Sequence, residues 1–174
     1  MQYIPAVTVD RWAEAKRRQL EKRGFSPEVA AKAIHIRRSL ILALHEAGAR
    51  ILLGSDAPQI FNVPGFSLHR ELELMVAAGL TPFEALQAGT TNVAIFLGLK
   101  TGVIATGYEA DLVMLDSDPL EDISSTRRVH GVMVRGTWYS GAEHLASASA
   151  SAAPARRLTP IAFRDQASAR VAVP

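Results

Sequence analysis

Cysteine is absent from the 174-residue chain, which excludes disulfides, thiolate nucleophiles and thiolate metal sites; any bound metal has to be held by His, Asp or Glu. Long apolar runs are missing too. No stretch approaches the roughly 20 uninterrupted apolar residues of a membrane helix, and the opening MQYIPAVTVDRWAEAKRRQ has no charged-then-apolar export layout. A soluble, cytoplasmic chain with no membrane partner is expected. No internal repeat of 20 to 50 residues is visible, so a solenoid or propeller is not expected.

What is present is ordinary globular material: 48% hydrophobic and 21% charged residues, at a length sufficient for one compact domain with a core. The net charge of +2 hides an asymmetry. Residues 1–50 carry ten Lys/Arg against five acids, and residues 51–141 carry five against ten. Trp12, Lys16, Arg17 and Arg18 could form a nucleic-acid patch, but basic residues spread around amphipathic helices read as a solvated face. No nucleic-acid partner is expected.

Thr8 to Gly24 reads as a helix capped by Thr8 or Asp10, and Ser26-Pro27-Glu28 opens a second, with a capping residue before a proline at the first helical position. Val29, Ala33, Ile36, Leu40, Ala43 and Leu44 then recur at three- and four-residue spacing, which predicts a core-facing stripe ending near Gly48. Ala49 to Gly54 is a short apolar run that predicts a buried parallel strand, and a helix feeding directly into such a strand suggests an α/β unit. Ser55-Asp56-Ala57-Pro58 and the segment from Gln59 to Phe66 form a loop at that strand's C-terminal end, where α/β folds bind ligands. Helices are predicted from Ser67 or Leu68 to Ala78 and from Phe83 to Leu97, the second started by Thr81, Pro82 and Glu84. Short strands follow at Gly102–Ile104, Leu112–Leu115 and Val129–Val134, with Trp138 and Tyr139 covering a small β unit. From Ala146 to Ala153 Ser and Ala alternate, a composition that buries too little apolar surface to offset ordering entropy and predicts a disordered tail.

Asp56 is the sharpest chemical candidate, because an acid just after an apolar strand at the mouth of an α/β layer is placed to meet a ligand. The competing reading is an aspartate that caps its own loop, since Ser-Asp-Ala-Pro is also good turn chemistry. From the local residues alone the two stand level.

Several blocks in order then resemble the metal-dependent amidohydrolases, closest to the imidazolonepropionase-like and prolidase-like branch. They are Leu53-Gly54-Ser55-Asp56-Ala57-Pro58, His69-Arg70-Glu71-Leu72, Ala78 to Leu86, Ala88-Gly89-Thr90-Thr91-Asn92, Phe96-Leu97-Gly98-Leu99, and Gly107 to Asp116. The resemblance covers about residues 27 to 140. It implies a partial TIM-like barrel, consisting of the last strand and its flanking helices (residues 1–99). Part of a small composite β-sandwich domain (100–141) and the low-complexity tail (142–174) would follow. It also implies hydrolysis of a C–N bond in a cyclic amide, peptide-like or amidine small molecule by water activated on a divalent metal, zinc first. Asp56 would bind that metal and take a proton from the attacking water. His69 stands where it resembles a substrate-pocket histidine; a helix-start histidine facing solvent or packing locally is the alternative.

The family's metal centre also needs a His-x-His pair, a mid-barrel lysine or acid, and two further histidines, and none of these positions occurs here. His35, His45, His130 and His144 match no ligand position. Asp111 and Asp116 flank a predicted strand and are expected to serve turns and strand ends. One carboxylate cannot hold a metal tightly, and one strand cannot close a barrel of eight. The expectation is therefore a chain from a truncated gene, an internal start or an incomplete sequence, inactive alone, with apolar helix faces exposed between Val29 and Leu99 and prone to self-association. The alternative is a non-catalytic α/β module that docks on a complementing chain supplying the rest of the barrel.

Overall fold

The computed structural model describes residues 4–24 and 26–141, and the expected tail at 142–174, with His144, lies outside the described residues. Among the described residues five α-helices lead into a small sheet: α1 (Ala6–Arg23), α2 (Pro27–Glu46), α3 (Phe66–Ala78), α4 (Pro82–Gly89) and α5 (Thr91–Leu97), then β1 (Leu112–Leu115), β2 (Val129–Val134) and β3 (Thr137–Ser140). A 3-10 turn at Ile123–Arg127 joins β1 to β2. The strands run antiparallel in the order β1-β2-β3.

Local signals set most of the boundaries. Ser26 Oγ accepts from Val29 N–H at 3.3 Å with Pro27 at the first helical position of α2. Thr81 and Glu84 cap α4 reciprocally: Thr81 Oγ1 accepts from Glu84 N–H at 3.2 Å, and Glu84 Oε2 accepts from Thr81 N–H at 2.8 Å. The start of α1 differs from expectation. It begins at Ala6 behind Pro5, and neither Thr8 nor Asp10 is its cap.

The single helix expected over Phe83–Leu97 divides at Thr90, whose backbone lies at φ −125°, ψ −90°. Gly102 explains what occupies the break: a Cβ there would sit 2.8 Å from the Thr90 carbonyl carbon, so only glycine, here at φ +82°, admits this approach. That approach seats Gly102 against the α4–α5 junction, and the expected strand at Gly102–Ile104 does not form.

The core consists of Leu72, Met75, Leu80, Ala85, Ala88 and Ile123, with Ile41, Ile51, Leu53, Val76 and Leu86 packed against it. It lies among α3, α4 and the 3-10 turn. The expected core-facing role of α2 is corrected: the helix contains no fully buried residue. Leu40 is 57% and Ile36 56% exposed, because nothing among the described residues covers that face; Ile41 packs against the core and Leu42 lies against Gly79. Ala49–Gly54 is likewise not a sheet strand. No ladder partner exists among the described residues, and its backbone is held instead by Leu53 N–H donating to the Ala88 carbonyl and Asn92 Nδ2 donating to the Ile51 carbonyl, each at 2.9 Å.

In the sheet, Gly131 is buried beneath Trp138, and a Cβ at Gly131 would stand 2.4 Å from Trp138 Cζ2. Trp138 and Tyr139 remain 41% exposed each. Asp111 accepts the Arg135 N–H at 2.7 Å where β2 turns into β3, and Asp116 accepts from His130 Nδ1 at 3.0 Å. No helix among the described residues is long and apolar enough to cross a membrane.

Candidate functional site

Asp56 follows the apolar run Ile51–Leu53 and adopts a left-handed backbone, φ +54°, in a region that Asp tolerates better than most residues and that recurs at functional turns. Its carboxylate is exposed, and Oδ2 accepts a hydrogen bond from Gln59 Nε2. Asn62 Nδ2 donates to the Ser55 carbonyl, and Gln59 and Asn62 exchange backbone hydrogen bonds at 3.1 and 2.9 Å. Two side chains of one small turn therefore fasten the Ser55-Asp56 pair. Phe61, itself at φ +60°, meets Trp12 of α1 edge to face at 5.7 Å and ties the turn to the first helix.

Beside the turn lies an open cleft of about 620 Å³ lined by Ser55, Phe61, Asn62, Phe66, Ser67, Arg70, Glu71 and Arg127 among others. Arg70 and Arg127 each bond one oxygen of Glu73, at 3.2 and 2.8 Å. The Arg127 hydrogen bond holds the Glu73 carboxyl below the usual carboxylate range, and the same bond raises the Arg127 guanidinium. Burial pushes the Glu71 carboxyl upward. Glu71 and Arg127 line this cleft although sequence reasoning gives neither a functional role; Arg127 carries no local signal, because it reaches the cleft through tertiary packing.

His69 does not share that cleft. It lines a second, mostly apolar cavity of about 540 Å³, with Leu53, Leu68, Leu72, Leu86, Leu112 and Thr126 in its wall. His69 Nδ1 lies 3.1 Å from Thr126 Oγ1. Burial lowers its pKa from the ordinary imidazole value, the Arg127 charge adds to this, and Glu73 opposes it. Of the two residues singled out from the sequence, His69 therefore lines the second cavity, whereas Asp56 lines neither and stands beside the first through Ser55.

Among the described residues no three His, Asp or Glu side chains come together as a group able to hold a metal ion. Such a site needs about three or four protein ligands. The Asp56 carboxylate is bonded by the Gln59 amide, whose nitrogen is no metal ligand, so the described residues do not by themselves fit a metal.

Residues 14–139 match the amidohydrolase family, and the chain belongs to that family, whose members are generally metal-dependent hydrolases. It is 40% identical over 82 residues to the ochratoxinase of Aspergillus niger, covering 45% of this chain and 16% of that protein. It is 34% identical over 146 residues to the imidazolonepropionase of Deinococcus deserti, covering 79% of this chain and 36% of the relative. Its fold superposes on a Xaa-Pro dipeptidase crystallised with methionine in its active site, with a TM-score of 0.57 and 28% identity over 77% of this chain and 34% of that one. The chain thus spans between about a sixth and a third of the length of these relatives.

Proposed function

We propose that this chain supplies the last-strand portion of an amidohydrolase barrel, and that its contribution to the active centre is one carboxylate, Asp56. The remaining ligands and strands come from residues outside these 174, and the 174 residues alone do not hydrolyse substrate. The reaction of the assembled enzyme is hydrolysis of a C–N bond in a small molecule, and zinc is the proposed metal. The reading draws on the names of the relatives and, above all, on one observation: Asp56 ends an apolar segment whose backbone lacks sheet partners among the described residues, yet its turn is fastened by Gln59 and Asn62. The division into residues 1–99, belonging to the barrel, and 100–141, belonging to a composite β domain, is part of the proposal.

The test is metal content by plasma mass spectrometry after dialysis against excess zinc, beside an Asp56→Ala control. Near-zero retained zinc in both proteins is the expected result. About one zinc per chain, absent from the control, would mean that Asp56 already has a full ligand set within this chain and would overturn the reading.

A second reading, a non-catalytic module that docks on a complementing chain, is favoured by the apolar residues left open on α2 and α5, with Leu40 57%, Ile95 58% and Phe96 69% exposed. Surfaces of this kind associate. Sedimentation of the purified chain is expected to show concentration-dependent self-association that Ile36→Glu with Leu40→Glu reduces. A monomer at every concentration would count against an uncovered face.

A further inference from the structure

The hydrogen bond between His69 and Thr126 has a direction. Thr126 is buried, and its Oγ1 donates its one proton to the Ile123 carbonyl at 2.9 Å. Oγ1 therefore meets His69 Nδ1 as an acceptor, so Nδ1 carries the imidazole proton. In the neutral ring that leaves Nε2 as a bare acceptor. No buried side-chain nitrogen or oxygen among the described residues lacks a partner, and none is found for Nε2, so this nitrogen is accessible.

The cavity beside His69 has walls largely of leucine and valine, and each of its other polar side chains already makes a hydrogen bond. Thr90 Oγ1 donates to the Leu86 carbonyl at 2.8 Å, Thr126 is in the relay, and Asp111 Oδ1 holds the Arg135 N–H. The Asp111 carboxylate in the wall disfavours an anion, and the predominantly apolar wall disfavours burial of any ion. A volume of about 540 Å³ falls within the range of small-molecule sites.

We propose that this cavity binds a small, neutral, largely apolar molecule carrying one N–H or O–H group, which donates to His69 Nε2. The site is separate from the cleft beside Asp56. Thr126 acts through His69 as a positioning residue: it fixes which ring nitrogen is free.

The test uses the 15N-labelled full chain, in EDTA at about pH 8 so that the imidazole is neutral, titrated with phenol and with anisole, its methyl ether without the donor. Imidazole 15N shifts are expected to show His69 protonated at Nδ1, phenol is expected to move the Nε2 resonance, and anisole is expected to bind about fivefold more weakly, the worth of one ordinary hydrogen bond. Thr126→Val should release the tautomer and erode the preference for phenol; His69→Phe should abolish it while anisole still binds. An Nε2-protonated ring in the free chain overturns the proposal, as do equal responses to phenol and anisole. An unresponsive cavity in a self-associated chain also overturns it, because a second copy then covers that face. Since the titration excludes metal, its failure leaves the Asp56 reading untouched, and the zinc experiment leaves this one untouched.

Discussion

Asn92 on α5 donates its Nδ2 hydrogen to the carbonyl of Ile51 at 2.9 Å, a bond between residues 41 positions apart. With the Leu53 N–H bonded to Ala88, it fastens the segment that leads into Asp56 to two helices instead of to neighbouring strands. Asn92→Ala leaves the Ile51 carbonyl without its side-chain donor in a half-buried place, which costs about 1–2 kcal/mol. The expected result is a lower denaturation midpoint with an unchanged slope, and faster amide exchange at Leu53 than at Leu72 in the core. Equal exchange changes at both positions would show that the bond supports the whole domain and not this segment.

The sheet offers a sharper steric test. A methyl group on Gly131 would overlap the six-membered ring of Trp138, whose Cζ2 and Cη2 lie 2.4 and 2.7 Å from the Cβ position. Gly131→Ala is expected to lift the indole off β2 and destabilise the β unit by about 1–3 kcal/mol, read as a loss of the near-ultraviolet circular dichroism of Trp138 in a Trp12→Phe background. Gly54→Ala is the control: a Cβ there meets nothing within 4 Å, so its spectrum should match the parent. An unchanged signal in Gly131→Ala would mean that the indole is not seated on the glycine.

How much could be read in advance follows from the range over which each feature is encoded. Ser26-Pro27 and Thr81-Pro82-Glu84 carry their meaning within four residues, and the caps of α2 and α4 form where those residues stand. The strand assignment at Ala49–Gly54 rested on an apolar run, but a strand exists only with partners, and the described residues provide none. The same holds for α2, whose Val29–Leu44 periodicity marks an apolar face without saying what covers it. At the candidate sites, Asp56 stands out because an acid just after an apolar run is placed to meet a ligand. The relay behind His69 did not, since Thr126 lies 57 positions away in a 3-10 turn that no local pattern links to α3.

Among the carboxyls held low, acid should act most strongly on Glu84. The Glu84 carboxyl is held at about 2, down from 4.5, first by the Thr81 N–H, then by the Thr81 hydroxyl and by His45. His45 Nε2 lies 3.0 Å from Glu84 Oε1 and joins the end of α2 to the start of α4. A carboxyl whose folded pKa is depressed binds fewer protons in the folded chain than in the unfolded one. Its contribution is therefore complete above pH 4.5 and is lost as pH falls from there toward about 2. Glu84→Gln keeps the shape and removes the charge, so the parent should lose stability more steeply than the variant between those two pH values, and the two curves should run parallel above pH 5.5 or so. The side chain is partly exposed, at 34%, so raised salt should shrink the part of the difference owed to His45 while leaving the capping hydrogen bonds in place. Thermal melts at closely spaced pH values measure this directly. Parallel curves through the acid range would show that the Thr81 cap binds the protonated and ionised carboxyl equally well, against the geometry of a box in which Glu84 Oε2 accepts from both the Thr81 N–H at 2.8 Å and the Thr81 hydroxyl at 2.7 Å.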